Sequence, residues 1–169
     1  ILDPIMGGVS AVVPDLSREY KSFFEWNPSR SLLASIRSYQ RHRALHNPVS
    51  VIAKKIAVLR HQFWSVVTGA DIPLNCQIGG GLLMPHPNGI VIHPGAVIGV
   101  NCLSFQQVTI GFCNEGVPVI GGHVDIGAGA KVIGRIIIGD HALVGANAVV
   151  LKDVPTGATA VGVPAVVMI

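Results

Sequence analysis

The sequence predicts a parallel β-helix built from hexapeptide repeats and preceded by an α-helical region. Three observations carry that prediction. From Ile120 onward a β-branched aliphatic recurs at every sixth residue: Ile120, Ile126, Val132, Ile138, Val144 and Val150. Glycine supplies 20 of the 169 residues and often directly follows the lead aliphatic, as at Gly121, Gly127, Gly139 and Gly145. Half of the chain is hydrophobic while aromatics are only 5%, so the core must be made of Val, Ile, Leu and Ala and is thin and regular. A period of six fits neither a helix nor a simple alternating strand; it is the signature of stacked coils with three short strands each.

The helical region comes first, over residues 1–69. A short helix is expected from about Asp15 to Trp26. Asn27-Pro28 then sets an N-cap beside a proline at the first helical position, and Leu32, Leu33, Ile36 and Tyr39 follow at helical spacing. Asn47-Pro48 repeats the start signal. Ile52, Ile56, Leu59, Phe63 and Val67 mark one face of the next helix, and Gly69 ends it. Phe63 and Trp64 are expected to pack against the end of the β-helix.

Residues 70–169 carry the repeats. An early block runs through Ile72, Ile78, Met84 and Ile90, and another through Ile92, Ile98 and Ile110, with Ser104 breaking the column. The phase slips by two residues between Ile90 and Ile92, and a loop, Phe112 to Val119, is inserted before Ile120. Four residues after each lead aliphatic comes a second inward candidate: Val124, Ala130, Ile136, Ala142, Ala148 and Val154. The lead side chain points into a triangular prism, the second residue fits a corner, and glycine supplies the dihedrals of the turns. Stability comes from stacking at about 4.8 Å per rung, since no single coil buries its own face. After Val150 the repeat decays through Thr156 and Ala160, and Gly162-Val163-Pro164-Ala165 reads as the exit.

Composition excludes several function classes. The net charge of +3 and the absence of a Lys/Arg run argue against a nucleic-acid partner. No apolar stretch is long enough to span a bilayer, and Ile1 to Val13 lacks the positive start of a signal peptide. Three cysteines, Cys76, Cys102 and Cys113, show no CxxC spacing and fit a reducing, cytoplasmic compartment. Cys76 and Cys102 fall at inward corners; Cys113 lies in the inserted loop.

Between Asp71 and Ala165 several motifs resemble the serine O-acetyltransferase family: Asp71-Ile72-Pro73, His86-Pro87-Asn88-Gly89-Ile90-Val91-Ile92, Gln107-Val108-Thr109-Ile110-Gly111, Ile126-Gly127-Ala128-Gly129-Ala130-Lys131, and Val161-Gly162-Val163-Pro164-Ala165. The resemblance implies a left-handed β-helix, a homotrimer that in the family pairs into a dimer of trimers, and acetyl-CoA as co-substrate in a groove between neighbouring β-helices. It implies His86 as the general base toward the acceptor hydroxyl and Asp71 as the carboxylate that orients it. By position, Gly111, Ala128 and Ala146 fall where the family's backbone approaches the pantetheine arm. The implied reaction, acetylation of L-serine, belongs to cysteine biosynthesis; no metal is expected.

The chemistry agrees with those roles. An alcohol is a poor nucleophile at neutral pH, and a histidine within reach activates it. A carboxylate on the second ring nitrogen fixes the tautomer. Pro85 and Pro87 restrict the backbone on both sides of His86. Two departures bear on the acceptor. Pro85 stands where the family has an aspartate that helps bind the amino acid, and Gly116 and Val117 stand nearest the family's Arg-His pair in the loop. A sugar or polysaccharide hydroxyl is therefore the alternative acceptor. His123 and His141, one full coil apart, should stack on one corner. With His93 as a third ligand they raise a metal enzyme of the carbonic anhydrase type, against the plainer reading of two exposed turn histidines; a non-catalytic scaffold is the remaining class. Lys131 and Lys152 read as solvated rims.

Overall fold

The two Asn-Pro pairs do what their chemistry dictates. In the computed structural model, which describes residues 8–22, 24–45, 47–113 and 115–169, helix α1 spans Pro28–His42 and helix α2 spans Pro48–Thr68. Asn27 caps the first by accepting from the Arg30 amide at 3.2 Å, and Asn47 caps the second from Ser50 at 2.8 Å. Gly69 closes α2 with a left-handed φ of 64°. Helix α1 buries Leu32, Leu33 and Ile36 in the same core as the first coils of the β-helix. The apolar face read on α2 points the other way. Ile52, Ile56, Leu59 and Phe63 are exposed, while Trp64 packs partly buried against the core.

The expected helix from Asp15 to Trp26 shrinks to a single 3-10 turn, Leu16–Glu19. The segment before and through it is an arm that the β-helix holds in place. The Asn101 side chain, buried on the solenoid, accepts from the Asp15 amide at 2.7 Å and donates to the Ser10 and Val13 carbonyls at 2.7 and 2.8 Å. Glu19 accepts from the amides of Gly81 and Leu82 and pairs with Arg37 at 2.8 Å, and Arg37 donates to the Ile78 and Gly79 carbonyls. These external bonds compete with helix formation and win. The first seven residues of the Ile1–Val13 stretch lie outside the described residues.

From Asp71 the chain winds five coils with three parallel sheets as faces. The first face stacks Asp71, Val91–Ile92, Thr109–Gly111, Lys131–Ile133 and Val149–Val150. The second stacks Gln77–Ile78, Val97–Ile98, Val119–Ile120, Ile137–Ile138 and Val154. The third stacks Leu83, Leu103–Ser104, Asp125–Ile126, Leu143–Val144 and Thr159–Val161. The lead aliphatics of all five coils are buried, and so is Ser104 among them. The chain then turns through Gly162, and Val166–Met168 pairs antiparallel with Thr159–Val161 as the exit.

The structure corrects the register at two places. Ile92, not Ile90, continues the column from Met84, and Ile90 takes the corner position two residues earlier, fully buried. The two extra residues therefore sit in the corner that holds His86. At the far end Val154 bridges Ile138 and so occupies the lead position of the second face; Ala160 is the next lead, and exposed Thr156 is not in the column. The repeat is shortened there rather than decayed.

Glycine also works differently from the expectation. Gly121, Gly127, Gly139 and Gly145 do not have positive φ. A Cβ on Gly127 would meet the Ala146 amide of the next rung at 2.6 Å, so closeness of coils, not dihedral freedom, demands a glycine. The left-handed corner positions are filled partly by side-chain-bearing residues: Asn101, Gln107, His123, His141 and Asn147.

Candidate active site

Three kinds of corner join the three faces. The corner from the third face to the first carries the extra length and His86. The backbone ladder of this corner places Asn88, Gln106, Ala128 and Ala146 at one position on successive rungs, with Gln107 N donating to Asn88 O at 2.9 Å and Gly129 N to Gln106 O at 2.8 Å, and leaves His86 in the two-residue extension just before it. The Asn147 amide donates to the Ala128 carbonyl at 2.8 Å, which joins the last two rungs of this column. Two of the three positions expected near the pantetheine arm thus stack on the His86 corner. Gly111 lies elsewhere, at the end of the first face where the inserted loop begins, paired with Ile133.

His86 is exposed on the rim of a cavity of about 470 Å³. The wall opposite comes from the helices: Trp26, Asn27 and Ser29 at the start of α1, and Val67 and Thr68 at the end of α2. Pro85, Pro87 and Asn88 complete the corner side. A smaller space of about 190 Å³ adjoins it, shares Asn27, Ser29 and Pro85, and adds Arg30. That guanidinium donates to the Tyr20 carbonyl at 2.6 Å and lies 3.8 Å from Glu25.

Asp71 lies on the rung beside this corner. Its amide donates to the Ile90 carbonyl at 2.8 Å, its carbonyl accepts from Ile92 at 3.0 Å, and its side chain is exposed. Gly69 O accepts from Gly89 N at 2.8 Å, and a Cβ on Gly69 would meet the Asn88 side-chain nitrogen at 2.7 Å. The helix-to-coil junction and the His86 corner are therefore packed against each other. No hydrogen bond joins the Asp71 and His86 side chains among the described residues.

Gln106 escaped sequence reasoning. Its Oε1 is buried without a partner, one rung from Asn88 on the corner that carries His86. A buried polar atom left unpaired is costly and marks a place where a ligand can complete the bonding. Its signal was present: Gln106 stands four residues before Ile110, as Asn88 stands four before Ile92. The polar Ser104 obscured the column. The helical side of the cavity carried no such signal, because Trp26 and Thr68 reach it only through the packing of α1 and α2.

The remaining candidates sort by corner. His93 accepts from the Gly95 amide at 3.1 Å and stacks on Phe112, with ring centroids 5.8 Å apart, at the inserted-loop corner. His123 and His141 stand on the opposite corner with Nδ1 atoms 2.8 Å apart. Burial holds His123 below the usual histidine range, with Asp125 pulling the other way. Among the described residues no group of three or more His, Cys, Asp and Glu is placed to hold a metal, so His93 does not complete a trio. Burial pushes the Cys76 thiol up to about 12 and the Cys102 thiol up to about 11, as inward positions require. Lys131 is less solvated than its rim position suggested: it donates to the Gln107 carbonyl at 2.6 Å and to Thr109 Oγ1 at 3.1 Å. No helix among the described residues is long and apolar enough to cross a membrane.

No protein-family model matches the chain. Individual proteins do. A serine acetyltransferase of Helicobacter pylori strain J99 is 43% identical over 114 residues, covering 65% of this chain and 67% of that protein. One of Synechococcus elongatus is 32% identical over 160 residues, covering 88% of this chain and 66% of its own length. Among solved structures, soybean serine acetyltransferase complexed with serine superposes with a TM-score of 0.71 at 34% identity, over 85% of this chain and 58% of that one. A serine acetyltransferase in complex with CoA gives 0.66 at 34% identity, over 83% and 55%. The chain thus spans about two thirds or less of the length of the proteins it matches. The five-coil β-helix, the two helices packed on its first coils and this similarity across both show that the chain belongs to the serine acetyltransferase family.

Proposed function

We propose that the chain is an acetyl-CoA-dependent O-acetyltransferase with L-serine as acceptor, acting as a homotrimer in the cytoplasm and feeding cysteine biosynthesis. The observation that carries the reading is the exposed His86 on the rim of the 470 Å³ cavity, one rung from an unpaired Gln106 oxygen. His86 removes the proton from the serine hydroxyl, and the alkoxide attacks the thioester carbonyl carbon. The C–S bond breaks as the tetrahedral oxyanion collapses, and the CoA thiolate takes the proton from the imidazolium. Asp71 holds the ring when acceptor and thioester are in place; catalytic hydrogen bonds often form only in that complex. Ala128 and Ala146 leave room for an extended pantetheine arm along the His86 corner, with Gly111 across the first face. Arg30, which lines the smaller adjoining space, supplies a guanidinium for the serine carboxylate. Val91, Val119, Ile137 and Leu143 present exposed aliphatics on the outside of all three faces, which supports packing of β-helix on β-helix.

A second reading has a specific observation in its favour. The cavity beside His86 is lined by Trp26, Asn27, Ser29, Thr68 and Asn88 among others, with no carboxylate to meet an ammonium group. An aromatic ring with neutral amides and hydroxyls suits a sugar hydroxyl as acceptor. The two readings separate in one assay: free-thiol release from acetyl-CoA with L-serine against a panel of sugars. Serine-dependent release that His86→Ala abolishes supports the first reading; release with a sugar and none with serine replaces it; release with neither overturns both.

A further inference from the structure

The corner between the second and third faces holds a feature that acetyl transfer does not use. Its left-handed position is occupied on five rungs by Gly81, Asn101, His123, His141 and Gly157, with φ of 82°, 58°, 52°, 59° and 72°. Glycine is freest in such a backbone, and asparagine, aspartate and histidine are enriched there among the other residues. Two adjacent rungs carry imidazoles. Their Nδ1 atoms lie 2.8 Å apart, the ring centroids 5.0 Å apart and the ring planes at 76°. The backbone fixes this approach: the His123 amide donates to the Val100 carbonyl at 2.7 Å and the His141 amide to Gly122 at 3.0 Å. The His141 side chain faces solvent, so an ion can reach the pair.

We propose that His123 and His141 form a two-imidazole chelate for copper(II) or nickel(II), clamping the third coil to the fourth. Two imidazole nitrogens are a competent bidentate set for late first-row divalent ions. The spacing selects among those ions. With metal–nitrogen bonds of about 2.0 Å, donors that sit 2.8 Å apart subtend about 90° at the ion, the cis angle of a tetragonal or square-planar site. A tetrahedral zinc site would hold the same donors about 3.3 Å apart. Water fills the remaining positions. Ligation needs both rings with their proton on Nε2. One ring must move its proton from Nδ1 to Nε2, with no net proton loss from the neutral pair. The charges facing the pair are Asp125, which favours a cation, and Arg18, which opposes it.

The test is a titration of the full chain with copper(II) and nickel(II), followed by calorimetry and by electron paramagnetic resonance of the copper form. His123→Asn and His141→Asn serve as variants, because asparagine accepts the left-handed backbone and leaves the corner intact. The expected result is one ion per chain with nitrogen hyperfine structure from two imidazoles, and a loss of affinity of 10-fold or more in either variant. Nickel should bind at least as tightly as zinc. Equal affinity in wild type and both variants overturns the proposal, as does a copper spectrum with one nitrogen or none, or a clear preference for zinc over nickel. If one variant fails to fold, the other decides the matter, since either substitution removes one of the two nitrogens. Acetyl transfer does not enter the measurement, so its outcome is independent of the function proposed above.

Discussion

Two corners of one solenoid have opposite characters. The His86 corner is longer by two residues, exposes its histidine and borders a cavity walled by α1 and α2. The Asn101 corner keeps the regular length, and the arm before α1 runs along it with every polar atom of the Asn101 side chain bonded. Both obey the same stacking rule, so the difference arises from what is added to the repeat. An inserted pair of residues opens a corner for chemistry, whereas a strap laid over a regular corner stabilises it. Substitutions should therefore separate cleanly into those that lose activity and those that lose stability.

The largest expected effect is on activity at the open corner. His86→Ala should lower kcat by about 10²–10⁴-fold with an unchanged unfolding midpoint, as removal of a general base does; steady-state thiol release and urea denaturation measure the two quantities. At the strapped corner the result should invert. Asn101→Ala removes three bonds to the arm and puts alanine at a φ of 58°, and should cost about 3 kcal/mol in urea denaturation while the arm becomes sensitive to limited proteolysis. Preserved stability in that variant would mean that the strap is incidental.

Gly69→Ala sharpens the comparison because it touches both properties. The added Cβ is strained at a φ of 64° and collides with Asn88, two residues from His86. It should cost about 1–3 kcal/mol and also lower kcat, as the corner moves. The smallest effect concerns the prism itself. Ser104 Oγ is buried and unpaired in an apolar column, so Ser104→Ala should raise stability by about 1 kcal/mol, read as a higher urea midpoint with unchanged slope. A drop in stability would mean that Ser104 has a partner in the assembled protein.

Much of this was legible in advance, and the reasons are specific. The six-residue spacing from Ile120 to Val150 reports the prism directly, because a single inward position repeats with nothing else to satisfy. The Asn-Pro pairs mark both helix starts because capping is local. What stayed hidden depended on contacts between distant segments. The strand of bonds from Glu19 and Asn101 replaces the helix expected after Asp15, and no local pattern announces it. The two-residue slip was visible, but Ile90 is as apolar as Ile92, so the pattern did not say which one continued the column. His86 and Asp71 stood out by motif; Gln106 did not, although it lies on the same corner as His86. The stacked histidines were expected from their spacing of one coil, but the 2.8 Å approach of their nitrogens was not.

The central claim is that the His86 corner performs the chemistry and the His123–His141 corner does not. It is tested most directly by comparing His86→Ala with the double variant His123→Asn/His141→Asn in one thiol-release assay under serine saturation. The account predicts a loss of about 10²-fold or more for the first and a rate within twofold of wild type for the second. A double variant that loses activity while His86→Ala keeps it would contradict the account.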